Sequence, residues 1–186
     1  MPRVFNECAT KVFNRGKPPE SFLNELVDWG ISAPDEIFAA NNNHDVYSQV
    51  KIELGPWADL KHRRAVMLEV LRVLAGFESS WDWNEGVDTN NPNSNTPCTE
   101  EAGILQCSGN SMNFDQSLKD LLIAVSGASD CQTFKTVTKA NHQFALEFAA
   151  RLLRFTVDHH GPLKRKEINP WLKPAAVAEF MGFLPE

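Results

Sequence analysis

Glu78 is the residue of this 186-residue sequence whose type and position most plainly suggest chemistry. Met67, Leu71 and Leu74 recur at steps of four and three, with Leu68 and Ala75 beside them. One further step of four from Leu74 lands on Glu78. A carboxylate thus stands where a helical apolar stripe calls for a hydrophobe. Partial burial and the negative end of a helix dipole both disfavour the charged form and so raise a carboxyl pKa. An acid that keeps its proton near neutral pH is what protonation of a glycosidic leaving oxygen requires. Phe77, Trp81 and Trp83 supply apolar surroundings, and an indole face also stacks on a sugar ring. By spacing alone, the competing reading is a helix-terminal Glu that points to solvent.

Other acids follow it: Asp82, Glu85, Asp88, Glu100 and Glu101. Asp82 sits one turn on if the helix continues, where like charge would shift Glu78. Asp88 and Glu101 are the candidates for a second carboxylate that reaches across a cleft and activates water. Asp88, Asn90, Asn93 and Asn95 alternate like calcium ligands, but the bidentate Glu of an EF-hand is missing and turn formation accounts for the asparagines. His159-His160 before Gly161-Pro162 reads as a helix C-terminus interacting with the dipole, with no His or Cys at ligand spacing. No metal and no cofactor are expected.

Nucleophilic chemistry has little support. No Gly-x-Ser-x-Gly elbow occurs, and Cys107-Ser108-Gly109 lacks the flanks of a cysteine hydrolase. Cys131 and His142 are the remaining nucleophile–base pairing, against the simpler reading of a buried cysteine. The four cysteines, Cys8, Cys98, Cys107 and Cys131, are too few for a disulfide framework and form no CxxC pair. Cys98 and Cys107 bracket a turn-rich loop, so either they bridge as a local staple or the thiols are free and buried.

Several amphipathic helices must position these residues. The patterning predicts helices over Pro19 to Trp29, closed by Gly30; a turn at Pro34 to Glu36; Ala58 to Ser79; Asn113 to Val125, with Phe114, Leu118, Leu121, Leu122 and Val125 inward; Asn141 to Asp158, with Phe155 inward; and Lys173 to Phe183. Between Asn84 and Ala102 turn residues dominate, which makes a long loop with room for a small hairpin. The expectation is one mainly-α domain over 1–186, built round a central helix, with a short β element or long loop beside the site. It divides into an N-terminal helical part (1–57), a catalytic core (58–160) and a C-terminal helix (161–186).

Composition narrows the partners. Eighteen Lys+Arg against 24 Asp+Glu give a formal charge of −6, unlike a protein that must neutralise phosphates. No apolar run is long enough to span a bilayer. The runs Lys61-His62-Arg63-Arg64 and Lys164-Arg165-Lys166 read as solvated faces, or as contacts for acidic peptide stems of cell wall. Met1 to Arg15 carries Asn6, Glu7, Lys11 and Asn14 where a signal peptide needs unbroken apolar sequence. Either the mature chain has lost such a peptide or it leaves the cell by a machine that does not read one, and secretion without a visible signal peptide is the expectation.

Glu78-Ser79 at the end of a buried helix, a polar loop, then Gly103-Ile104-Leu105-Gln106 resembles the lysozyme-like superfamily, nearest to goose-type lysozymes and soluble lytic transglycosylases. Asn141 and the apolar helix through Phe155 are similar to the helix that backs the cleft in that family. The likeness covers roughly residues 60 to 160. It implies a lysozyme-like fold, Glu78 as catalytic acid, and Gly103 and Gln106 lining the cleft, with Ser79, Trp81 and Trp83 as further substrate contacts. The implied substrate is the β-1,4 bond between N-acetylglucosamine and N-acetylmuramic acid in peptidoglycan glycan strands. Two departures stand out: Ser108 occupies the position where goose-type enzymes usually have an aspartate, and the only tyrosine, Tyr47, lies well before the helix. A small domain of this kind also resembles glycoside hydrolase effectors of type VI secretion. Those act in the periplasm of a target cell and pair with an immunity protein that occludes the cleft. The alternatives are a non-catalytic glycan- or protein-binding module and a chitinase of related fold.

Overall fold

In the computed structural model the described residues are 2–41, 43–86 and 96–185, and they are mainly helical with one small sheet. In order they form α1 (Glu20–Ser32), a 3-10 turn (Asp35–Ile37), α2 (Val46–Gln49), α3 (Lys51–Leu54) and α4 (Leu60–Ser79). The hairpin β1 (Glu101–Ala102) and β2 (Cys107–Ser108) follows, then a 3-10 turn (Gly109–Phe114), α5 (Gln116–Ser126), α6 (Cys131–Ala140), α7 (His142–Phe155) and α8 (Gly161–Lys164). The last elements are a 3-10 turn (Asn169–Trp171) and α9 (Pro174–Phe183). No described helix is long and apolar enough to cross a membrane.

α4 is the axis. Every residue from Arg63 to Gly76 is buried, with α1, α7, α8 and α9 packed against it. The Asp59 carboxylate accepts from the His62 amide at 2.7 Å and sets where the helix starts. Burial on all sides forces the polar residues of α4 to find partners inside the protein. The run 61–64 is accordingly not a solvated face. Arg63 and Arg64 are buried, with Arg64 donating to the Ala33 carbonyl at 2.8 Å and Arg63 to that of Ala39 at 3.2 Å.

At the middle of α4, Arg72 donates to Glu69 twice, at 2.6 and 2.7 Å, with both side chains fully buried. Glu69 also accepts from the Lys173 amide at 2.8 Å, and Arg72 reaches the Cys8 carbonyl at 3.4 Å. One ion pair thereby ties the N-terminal segment and the start of α9 to the axis.

The helices depart from their expected bounds in identifiable ways. α1 runs past Gly30, because that glycine lies against Leu68 of α4 rather than ending the helix. The segment 113–125 is broken at Asp115, whose carboxylate caps α5 by accepting from the Ser117 amide at 2.9 Å. Phe114 and Val125 consequently face solvent, as does Phe155 on the last turn of α7. α6 has no expected counterpart. Its β-branched, polar run buries only Phe134 and Thr138, too few to write a stripe.

Replacing Arg72 by Met strands a buried carboxylate and is expected to cost about 3–5 kcal/mol in urea denaturation. The double variant Glu69→Leu/Arg72→Met should be less destabilised than the single one.

Candidate active site

Glu78 sits on the last turn of α4, where the backbone turns abruptly. Ser80 (φ +56°) and Trp81 (φ +64°) both adopt the left-handed conformation that non-glycine residues rarely take. The turn folds the Trp81 indole back under the helix, against Gly76, where its Nε1–H donates to the Arg72 carbonyl at 2.9 Å. Trp81 is therefore a core residue, 5% exposed, and not the sugar-stacking surface its spacing suggested.

The Glu78 side chain keeps 15% of its surface exposed, and that edge opens on a cleft of about 680 Å³. Burial pushes its pKa from the ordinary carboxylate value up to about 8. Glu167 adds to the rise, and the guanidinium groups of Arg165 and Arg15 oppose it. Oε1 is buried without a hydrogen bond; His160 Nδ1 stands 3.3 Å away but is not aligned to donate. Burial also pulls His160 down to about 4. At neutral pH the contact is thus a protonated acid facing a neutral imidazole, not an ion pair.

One wall of the cleft is aromatic. Phe13 is stacked on Phe77 with centroids 5.5 Å apart and meets Trp171 edge-on at 5.8 Å, while remaining 46% exposed. Glu101, Gly161 and Arg165 also line the cleft, the last bonded to Glu167 at 2.8 Å. Arg15 borders the cleft too and donates to the Phe77 carbonyl at 3.4 Å.

Of the expected site residues, Glu78 and Glu101 share this cleft. Asp88 lies outside the described residues, as do Asn90, Asn93 and Asn95. Ser79, Gly103 and Gln106 are brought together, but as ties within the protein. Ser79 Oγ–H reaches the Ile104 carbonyl at 2.8 Å, and Gln106 Nε2 donates to the Gly103 carbonyl at 2.8 Å. Gly103 (φ +73°) lies so close to α6 that a Cβ would meet Thr138 Cγ2 at 2.9 Å. Ser79 fastens the hairpin to the end of α4, while Gly103 and Gln106 shape its turn; none lines the cleft. Trp83 stands apart from the cleft, stacked on His142 at 3.8 Å. Asp82 is exposed and accepts from the Asn84 amide at 2.8 Å.

The cysteines pair differently from the sequence expectation. Cys98 bridges to Cys131 at the start of α6, which overturns both the Cys98–Cys107 staple and the Cys131–His142 nucleophile pair. The hairpin register sets Cys107 opposite Ala102 and buries it as a free thiol, and His142 Nδ1 instead contacts Glu25. His159 and His160 do not end a helix, since α7 stops at Phe155 and His160 caps α8. The fold brings Cys107 to both, a partner their sequence neighbourhood did not show.

No protein-family model, curated protein or solved structure matches this chain. Its chemistry has to be read from the cleft. Phe13, Trp171, Arg165 and His160 escaped the sequence reading as site residues because nothing local marks them. They reach Glu78 only through packing of the N-terminal turn and the α8–α9 segment on α4.

Between pH 4.5 and about 8 the folded protein binds a proton at Glu78 that the unfolded chain has lost, so this group makes stability fall as pH rises through that window. His160, held down to about 4, acts oppositely but only below the ordinary histidine value of 6.5. Relative to wild type, Glu78→Gln is expected to gain stability progressively from pH 5 to 8, by on the order of 2–5 kcal/mol, in denaturant melts across pH. A constant difference would show that the carboxyl titrates normally.

Proposed function

We propose that this chain is a peptidoglycan glycoside hydrolase of lysozyme-like type, with Glu78 as its general acid. The observation that carries the reading is a carboxyl, kept protonated to about pH 8 by burial, whose only open edge faces a cleft large enough for sugar rings. Glu78 donates its proton to the glycosidic oxygen as the bond breaks. Glu101, which also lines the cleft, stabilises the developing oxocarbenium charge or orients water. The Phe13–Trp171 wall offers a ring a flat apolar face. Arg15 and Arg165 flank the acid with positive charge, which suits a glycan bearing lactyl and peptide carboxylates better than uncharged chitin.

The reading extends to action in the periplasm of a target cell and to an immunity protein that covers the cleft. The resemblance supports both, and the Cys98–Cys131 disulfide supports an oxidising compartment. Cleavage on either side of N-acetylmuramic acid is compatible with the cleft, as glucosaminidase or muramidase.

Purified peptidoglycan should be cleared by wild type and not by Glu78→Gln, whose rate should fall by about 10²–10⁴ or more. Wild-type activity should decline above about pH 8 as Glu78 deprotonates. Mass spectra of the fragments identify the reducing-end sugar, and an anhydro ring would mark transglycosylation. Equal clearing by both proteins contradicts the assignment of Glu78. Binding to the sacculus without fragments would identify a non-catalytic module instead.

A further inference from the structure

Behind Glu78, on the side away from the cleft, three side chains with metal-ligand atoms converge. Cys107 comes from β2, while His159 and His160 come from the segment between α7 and α8, more than fifty residues later in the chain. Their ligand atoms all lie within 4.8 Å of one another, and Cys107 and His160 are buried. Cys107 Sγ stands 4.0 Å from His160 Nε2. Around tetrahedral zinc, a sulfur about 2.3 Å and a nitrogen about 2.0 Å from the ion sit about 3.5 Å apart, so this pair needs to close by about half an ångström, and the widest separation in the cluster by more.

Each histidine ring also stands beside a further polar group. His160 has its other nitrogen, Nδ1, 3.3 Å from Glu78 Oε1, which leaves Nε2 on the side of the Cys107 sulfur. The His159 ring lies beside the Gln106 backbone, while its Nε2 is buried with no hydrogen-bond partner. An unpartnered ring nitrogen enclosed beside a thiol costs stability unless something binds it. Neither Cys107 nor either histidine has a direct role in the proposed sugar chemistry, and among the described residues this is the one cluster of its kind.

We propose that Cys107, His159 and His160 form a binding site for a thiophilic divalent cation of the zinc class. One thiolate and two imidazoles match borderline-soft ions and disfavour calcium or magnesium, which take oxygen ligands. The bound ion clips the hairpin to the α7–α8 segment, the two pieces of chain that flank Glu78 from behind. Thiolate formation releases one proton, so uptake is weaker at lower pH.

The test uses the full-length oxidised protein, freed of metal by a chelator and titrated with zinc against a chromogenic competitor, then with cobalt. The expected result is one equivalent of zinc per chain. Cobalt should give a thiolate-to-metal charge-transfer band in the near ultraviolet with tetrahedral visible bands. Cys107→Ser and His159→Gln should weaken zinc binding by more than about 100-fold, beyond what loss of an outer partner costs. Cys8→Ser, which removes the other buried thiol, should leave the cobalt band intact. No zinc uptake by wild type, or equal uptake by a folded Cys107→Ser, overturns the site. Should Cys107→Ser not fold, the cobalt spectrum of Cys8→Ser decides: a thiolate band sustains the site and its absence overturns it. None of these readouts depends on glycan cleavage, so failure here and failure of the hydrolase reading are separable.

Discussion

A carboxyl group buried without a hydrogen bond for one of its oxygens is the feature on which the proposed chemistry rests. Ionising Glu78 would put charge on an Oε1 that neither water nor a well-aligned donor reaches, so the proton stays on to about pH 8. Removing that burial leaves an ordinary surface Glu beside an ordinary groove. Much of the local structure serves to keep it: the left-handed pair Ser80–Trp81 ends the helix abruptly, and His160 closes the rear with a neutral ring.

Around that point the fold is fastened by non-local polar ties rather than by the sheet, which is only two residues deep on each strand. Ser79 fixes the hairpin to the end of α4, Gln106 closes the hairpin's own turn, and the Cys98–Cys131 bond fixes its approach to α6. The Glu69–Arg72 pair does the same three turns earlier for the N-terminal segment and α9. Since the cleft wall is contributed by residue 13 at one end of the chain and residue 171 at the other, the site exists only when both ends are docked.

The sequence made the axis legible because a helix surrounded by others carries apolar residues through many turns, and Glu78 breaks that pattern visibly. The family resemblance grouped Ser79, Gly103 and Gln106, though their work is internal: short polar side chains and a glycine near a helix end tie turns as readily as they hold a ligand. Trp81 and Trp83 misled for a related reason. Large aromatic side chains carry no sign of whether they face a ligand or the core, and a left-handed turn reversed the first of them. The aromatic wall, Arg165, the disulfide pairing and the partner of His159-His160 depend on contacts across scores of residues. Periodicity within a window does not reach that far.

The central claim is that Glu78 holds its proton through neutral pH. Carboxyl-selective infrared or carbon NMR titration of protein labelled at Glu, with Glu78→Gln as the subtraction control, reads that proton directly. A midpoint near 8 is expected. A midpoint at the ordinary carboxylate value, near 4.5, would contradict the claim and remove the general acid from this cleft.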